Sequence, residues 1–305
     1  MPAAVALLLA ACFTGTGEKD QLRNPIAGSG ISLGLQVNLP LGATRANAAA
    51  AIYEDGVRQP LVGGDFFVAS SINQGDYSIL KSLQNLSGDY EGSLNVLDEN
   101  DQVIIATEYD PERAREDRWY PVDQLLIDPG PNEDLVGYSE TFSFPQPLQN
   151  LAINQNEFTS RADNITLTWE AGDGDQITSN AVVTCYSEGG KRYTYPIFNV
   201  LADDDGSYTL QVRDIIPNES IVNAVATLTH EVLTILSAAI LEVVTYGLVD
   251  ARDIPLSSFQ LSYCDVDLTV FREVGFQLPM GVAGGFAIAS TSDSVRFTYR
   301  PPVTP

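Results

Sequence analysis

Histidine and reactive cysteine patterns are nearly absent from this chain. Its 305 residues include three cysteines, no Cys-x-x-Cys pair and a single histidine, His230. Zinc sites of cysteine and histidine draw on closely spaced ligand pairs, so we expect none. A catalytic triad would have to use His230, which lies in the apolar run 228–232 with no nucleophile motif beside it. Dinucleotide and P-loop motifs are missing too, and the sequence predicts a protein that is not an enzyme.

Positive charge is also scarce. Lys and Arg number 16 against 40 Asp and Glu, which gives a formal net charge of −24. Nucleic-acid binding depends on basic side chains that neutralise phosphates, so nucleic acid is excluded as a partner. Anionic lipid headgroups would repel such a body unless another feature holds it at the membrane. The surplus of acids favours solubility, or alternatively the gathering of divalent cations.

The N-terminus carries the clearest targeting signal. Residues 3–11 are almost entirely apolar, too short for the roughly 20 residues of a membrane-spanning helix but of the length of a secretory signal core. They end in Leu9-Ala10-Ala11-Cys12, which resembles a bacterial lipobox. The resemblance implies a signal peptide over 1–12, lipid on Cys12 and a flexible tether over 13–29. The alternative is a buried first strand with an incidental cysteine.

Two cysteines remain once Cys12 is assigned to lipid. Cys185 and Cys264 both lie in strand-like surroundings in the second half of the chain. A disulfide between them would close a loop of about 80 residues and stabilise the fold by about 4 kcal/mol. Two reduced thiols in the core are the alternative.

Residues 30–147 read as a first β-sandwich domain. Apolar and polar residues alternate from Ile31 to Leu39, which is the pattern of a half-buried strand. Asp55-Gly56 predicts a hairpin turn, and further strands are expected at 66–70, 77–80, 92–97, 103–107 and 139–144. Short strands at this spacing are typical of antiparallel sandwiches.

A charged stretch interrupts these strands and predicts a short helix on a loop. Arg113, Arg115 and Arg118 lie beside Trp119 and Tyr120. Aromatic stacking combined with guanidinium contacts would suit a glycan or an acidic protein partner. The alternative is that the two aromatic residues form the apolar side of a helix that caps the sandwich.

A linker over 148–157 leads to a second β-sandwich domain over 158–305. Its strands are expected around 165–169, 182–186, 193–198, 208–212, 266–270 and 295–299. The segment 221–249 differs, because its polar residues recur mostly at steps of three and four and predict an amphipathic helix inserted in this domain. We expect its apolar face to pack on the sheet; a pair of strands, or a surface for a partner or membrane, are the alternatives.

Acidic turns offer the only candidate metal ligands. Asp203, Asp204 and Asp205 are the best candidates for Ca²⁺, a hard cation that takes oxygen ligands. Asp-rich turns between strands are common without any metal, and no other cofactor is expected.

The lipobox, the segment SRADNITLTWEAG (160–172) and the C-terminal segment from Cys264 to Pro302 together resemble two-domain envelope lipoproteins of Gram-negative bacteria. The resemblance covers most of the chain and transfers no functional residues. Phe13 after the lipidated cysteine resembles a signal for sorting to the outer membrane.

We therefore predict an all-β protein of two Ig-like sandwich domains, lipid-anchored in the cell envelope at the outer membrane. Its expected role is that of a non-catalytic binding or structural module with a protein or glycan partner. One alternative is an accessory carbohydrate-active or hydrolytic envelope protein. Another is a subunit of a cell-surface assembly that uses 221–249 as its interface.

Overall fold

The computed structural model describes residues 29–59, 65–82, 88–109, 139–218, 222–223, 226, 260–276, 278 and 282–302. Within these ranges the protein is nearly all β, with a four-residue helix, α1 (Val212–Ile215), and three further helical positions at 222, 223 and 226. The strands are β1 (Ile31–Pro40), β2 (Arg45–Glu54), β3 (Val57–Gln59), β4 (Asp65–Ser71), β5 (Tyr77–Ile79), β6 (Lys81–Ser82), β7 (Asp89–Asn95), β8 (Gln102–Tyr109), β9 (Ser139–Ser143), β10 (Ala152–Ile153), β11 (Glu157–Phe158), β12 (Asn164–Thr168), β13 (Gln176–Ser187), β14 (Arg192–Ala202), β15 (Ser207–Gln211), β16 (Leu261–Gly275) and β17 (Gly284–Tyr299).

Three sheets build two sandwiches. The largest runs β14-β13-β16-β17-β1-β2-β7-β6, with β3 on β2 and β11 on β17. A sheet of order β5-β4-β8-β9 covers one half of it, and a sheet of order β10-β12-β15 belongs with the other. Each half encloses its own hydrophobic core, so the predicted sandwich architecture is confirmed.

Alternation of side chains explains why these strands form. In β1, Leu33, Leu35 and Val37 are completely buried on the inner face, as the period of two requires. The Asp55-Gly56 hairpin is confirmed as well. Both residues have positive φ, 50° and 77°, which a two-residue type I′ turn needs.

Strand β17 belongs to both sandwiches. Its first part pairs with β1, from Ser32 opposite Gly284 to Pro40 opposite Ser292, and its length of 16 residues spans about 50 Å. Ala287 and Ala289 enter the first core, whereas Phe297 and Tyr299 enter the second. The C-terminal strands therefore complete a sandwich that begins more than 200 residues earlier in the chain.

Two strand pairs in the large sheet are parallel, in contrast to the antiparallel pairing expected throughout. β1 and β11 each run parallel to β17. Adjacent parallel strands need a long connection between them, and nearly the whole chain lies between β1 and β17.

The segment 148–157, predicted to be a linker, contributes Leu148 to the second core and contains β10.

The predicted disulfide between Cys185 and Cys264 is confirmed, with an S–S distance of 2.06 Å. The two residues lie directly opposite each other on β13 and β16, and both are completely buried in the second core. In immunoglobulin domains the disulfide joins the two sheets, whereas here it joins neighbours in one sheet.

The predicted helix over 221–249 lies outside the described residues, apart from three positions. Val222 and Ala226 are buried in the second core, and the Asn223 side chain accepts a hydrogen bond from the Leu261 amide at 2.9 Å. In the part of the chain that is described, no helix is long and apolar enough to cross a bilayer.

Gly285 permits the close approach of β1 and β17. Its φ is +111°, and a Cβ atom there would lie 1.8 Å from the Leu33 carbonyl oxygen. We expect Gly285→Ala to lower the free energy of unfolding by about 2 kcal/mol more than Gly75→Ala does. Gly75 is the matched control, because it also has positive φ (+62°) but nothing within 4 Å. Urea unfolding would measure both, and equal losses would contradict the close packing of β1 on β17.

Candidate functional site

A polar layer separates the two cores on the inner face of β16 and β17. The inward-facing series on β16 runs Val270, Arg272, Val274. Val270 belongs to the second core and Val274 packs against the first. Arg272, with a side chain only 1% exposed, lies between them, directly opposite the buried Thr291 of β17.

The Arg272 guanidinium is held by one carboxylate and three backbone carbonyls. Its Nε lies 2.7 Å from Asp204 Oδ2, and its Nη2 donates to Asp204 Oδ1 at 3.1 Å. Nη1 donates to the carbonyls of Gln146 at 3.1 Å and Pro147 at 2.8 Å, and Nη2 also donates to the carbonyl of Glu170. A guanidinium presents five donors in a planar fork. Here Nη1 and Nη2 each donate two hydrogen bonds, whereas Nε contacts Asp204 within the ion pair without a hydrogen bond.

Asp204 is fixed on its other side by three further donors. It lies in the turn between β14 and β15, and its side chain is 3% exposed. Trp169 Nε1 donates to Oδ1 at 2.8 Å, and the amides of Gly172 and Gly174 each donate to Oδ2 at 3.1 Å. A buried ion pair is stable only when its remaining hydrogen-bonding groups are satisfied, and both carboxylate oxygens of Asp204 accept hydrogen bonds here.

Glycine is required where the chain passes the guanidinium. A Cβ atom on Gly172 would lie 2.4 Å from Arg272 Cζ, and one on Gly174 would lie 2.6 Å from Arg272 Cγ. We name this arrangement the arginine clasp: Arg272, Asp204, Trp169, and the carbonyls of Gln146, Pro147 and Glu170.

The arginine clasp holds the connection between the two sandwiches. Gln146 and Pro147 follow β9, the edge strand of the four-stranded sheet of the first sandwich. The Gln146 carbonyl also accepts a hydrogen bond from Thr291 Oγ1 at 2.9 Å, and its amide donates to Asp173 Oδ1 at 2.9 Å. The connecting segment is therefore bonded to the second sandwich through both backbone groups of Gln146.

Sequence reasoning did not find this site. The available signal was Arg272 itself, which continues the inward series Val266, Leu268 and Val270 in its strand. A charged residue at an apolar position of a strand indicates a buried, partnered charge.

The predicted calcium site gains no support from the geometry. Asp204 gives both carboxylate oxygens to the arginine clasp, and Asp205 Oδ1 accepts the Ser207 amide at 3.3 Å within the turn. Among the described residues, no group of three or more His, Cys, Asp or Glu side chains is placed to hold a metal ion. The sequence pattern was that of an Asp-rich turn, and the fold uses Asp204 for an ion pair.

A second buried carboxylate shapes the end of the first sandwich. Asp101 is completely buried and accepts hydrogen bonds from Ser71 Oγ at 2.6 Å, the Leu97 amide at 2.8 Å and the Asn73 amide at 3.1 Å. Burial alone would raise the pKa of Asp101, but these hydrogen bonds and one from the Gln102 backbone outweigh it and lower the pKa. The charged carboxylate fixes the turn between β7 and β8.

That turn forms one wall of a cleft of 330 Å³, which we name the junction cleft. The turn between β1 and β2 and the connecting segment form the other walls. Its lining residues are Leu39, Pro40, Leu41, Gly42, Ala43, Leu97, Asp98, Glu99, Pro147, Gln149 and Thr291. Leu41 and Leu97 border the cleft with 44% and 57% exposure, and the two charged lining residues are both acidic.

The outer face of the second sandwich carries an aromatic row. Tyr186 and Tyr263 stack with ring centroids 4.7 Å apart, and the Arg300 guanidinium lies 4.9 Å from the Tyr263 centroid on the same sheet. Beside the row, Asp267 forms an ion pair with Arg296, and Asp265 accepts the Thr298 hydroxyl at 2.8 Å. The two tyrosine rings stack on each other, Arg300 lies against Tyr263, and the charged side chains beside them have partners within the sheet. These contacts link β13, β16 and β17 to one another.

Several predicted site residues lie outside the described residues. These are Cys12 and the aromatic–arginine group Arg113, Arg115, Arg118, Trp119 and Tyr120.

Residues 30–34 match the Gly-x-Ser-x-Gly pattern of hydrolase nucleophiles. However, Ser32 lies buried within β1, hydrogen-bonded between β2 and β17, and not on the strand-to-helix turn that this motif requires.

Comparisons with known proteins identify no family for this chain. No protein-family model matches the chain, and no curated protein does. Among solved structures, the chain is similar to the FN1–FN3 domains of chicken CNTN1, at 8% identity and a TM-score of 0.18. That similarity covers 90% of this chain and 68% of the other.

Proposed function

We propose that the protein is a non-catalytic module of the cell envelope, anchored in the outer membrane by lipid on Cys12. Its body acts as a rigid spacer and binding platform. The single observation that supports this most is the continuous large sheet, in which β17 completes both cores while the arginine clasp holds the connecting segment. A body built this way keeps its two halves in a fixed relation.

The position of the described N-terminal end favours an elongated arrangement. β1 begins at Ile31, beside Gly284 at the start of β17. A tether over 13–29 would join the body at this end of the large sheet. Tyr299, at the other end of β17, lies about 50 Å away along the strand. The aromatic row would then be carried far from the membrane.

Removal of the lipid-bearing cysteine should release the protein. We expect a variant whose residues 1–12 are replaced by a cleavable secretory signal without a lipobox, expressed in a Gram-negative host, to move from the membrane fraction to the soluble fraction of the envelope, because a body of charge −24 has no attraction of its own to anionic lipid. Fractionation and immunoblotting would measure this. Thr16→Ser, a change in the tether that leaves the lipobox intact, is the control and should stay in the membrane fraction. A variant without the lipobox that stays in the membrane fraction after its signal has been cleaved would contradict the anchor.

A binding role is favoured over a purely structural one by the junction cleft. Two exposed leucines border a concave site with walls from three segments, and exposed apolar side chains around a cleft are typical of interaction sites. The aromatic–arginine group at 113–120 remains a proposed contact for a protein or glycan.

A further inference from the structure

The geometry points to the junction cleft as a docking site for a partner protein segment in which a leucine-sized apolar side chain is flanked by lysine or arginine. This inference deepens the proposed binding role and rests on it. It specifies the chemistry of the partner and the residues that would contact it.

The apolar part of the partner is defined by the leucine-lined walls. Leu41 and Leu97 expose about half of their surface on either side of the cleft, and Leu39 and Ala43 lie between them in its lining. A volume of 330 Å³ accommodates a leucine-sized side chain with its backbone. Burial of such an apolar side chain away from water is favourable, so the leucine-sized side chain is the anchor of the segment.

The charge of the partner is defined by the acidic rim. Asp98 and Glu99 are the charged residues in the lining, and no cation lies among the described lining residues. Asp98 Oδ1 accepts the Asn100 amide at 2.9 Å. Within the described part of the chain, the Glu99 carboxylate has neither a hydrogen bond nor an ion pair, so it is available to a basic group. The net charge of −24 adds a long-range attraction for a basic segment.

The walls are fixed before any partner arrives. The Leu41 amide donates to the Ser292 carbonyl at 2.7 Å, and the Leu97 amide donates to the buried Asp101 carboxylate. The third wall contains Pro147, whose carbonyl accepts from Arg272. Pre-organised walls reduce the entropy lost on binding. A segment seated here would contact both the first sandwich and the connection to the second.

The test is a titration of residues 13–305, the predicted mature chain without its lipid-bearing cysteine, which removes any need for a membrane. The probe is a fluorescein-labelled peptide, Gly-Ser-Lys-Leu-Lys-Ser-Gly. Two matched peptides replace its leucine by serine or both lysines by glutamate. We expect fluorescence anisotropy to show binding of the first peptide, with at least tenfold weaker binding of each of the others. The serine peptide is decisive, because it keeps the charge that any acidic protein would attract.

Variants of the protein locate the site. We expect Leu97→Ser to weaken binding of the lysine–leucine peptide about tenfold and Glu99→Gln about threefold, with an unchanged unfolding midpoint. Val57→Ser is the control, since Val57 is 62% exposed but lies on the β2–β3 hairpin outside the cleft lining.

Equal binding of the serine peptide, equal binding by Leu97→Ser, or no binding at all would overturn the inference. Because residues 13–305 are used without the lipid-bearing cysteine, failure here would leave the proposal of the lipid anchor unaffected. Failure of the fractionation test would likewise leave the cleft unaffected.

Discussion

Replacement of Arg272 by methionine should lower the free energy of unfolding by about 3–5 kcal/mol. The change leaves the Asp204 carboxylate buried without its cation, and removes donors from the carbonyls of Gln146 and Pro147. Loss of one partner of a buried ion pair typically costs this much. Domain stabilities of 5–15 kcal/mol are typical, so urea unfolding followed by tryptophan fluorescence should show a large fall in the midpoint.

A matched control is present on the neighbouring strand. Arg296 forms an ion pair with Asp267, but the two side chains are 84% and 51% exposed. Arg296→Met should therefore cost less than about 1 kcal/mol. The double variant Arg272→Met/Asp204→Asn removes the uncompensated charge and should recover part of the loss. Equal effects of Arg272→Met and Arg296→Met would show that the arginine clasp does not hold the two sandwiches.

Removal of the disulfide should be comparably costly. The double variant Cys185→Ala/Cys264→Ala opens a loop with a sequence separation of 79 residues. On the chain-entropy description this lowers stability by about 4 kcal/mol, and each truncation also leaves space in the second core, where both cysteines are fully buried. Urea unfolding without reductant should show the fall directly.

Reduction of the disulfide with dithiothreitol is the control for the double cysteine variant. Because both sulfurs are buried, they become accessible to reductant only when the chain unfolds. Unfolding of the unmodified protein in dithiothreitol should therefore move its midpoint most of the way to that of the double variant. A midpoint that does not respond to dithiothreitol would mean that the disulfide adds no stability.

The local structure of this protein was largely predictable from its sequence. Alternation in β1, β12, β16 and β17 gave the strands directly, since a half-buried strand must place every second side chain inside. The Asp55-Gly56 pair specified its hairpin, because positive φ at two successive positions strongly favours these residues. The disulfide followed from the number of cysteines and the strand-like surroundings of Cys185 and Cys264.

The arrangement of the strands was not predictable in the same way. Nothing in the residues of β1 specifies that its neighbour is β17, because pairing across more than 200 residues depends on the whole fold. For that reason the division into separate segments missed that Ala287 and Ala289 complete the first core. The parallel pairing of β1 with β17 has the same origin.

Clusters of similar residues in the sequence did not locate the candidate site. Three successive aspartates suggested a metal, yet the fold turns Asp204 inward to an arginine that lies 68 residues later in the chain. The informative residue was a single Arg272 in an apolar series. The junction cleft was equally hidden, since its lining comes from four separate parts of the chain, around residues 39–43, 97–99, 147–149 and 291.

Together with the proposed anchor, the fold would place the outer face of the second sandwich at a distance from the membrane. The large sheet would carry the aromatic row about 50 Å from the point where the tether joins. The junction cleft lies where the first sandwich meets the connecting segment, and it presents leucines and carboxylates for the proposed basic, apolar segment.

The mass of the N-terminal peptide tests the central claim most directly. Trypsin cleaves after Lys19, so a processed chain yields a peptide of residues 12–19. For protein expressed in a Gram-negative host and purified from its membranes, we predict that this peptide begins at Cys12 and carries a glyceride-linked and amide-linked lipid mass. A peptide with an unmodified Cys12, or one that extends back to Met1, would contradict the account.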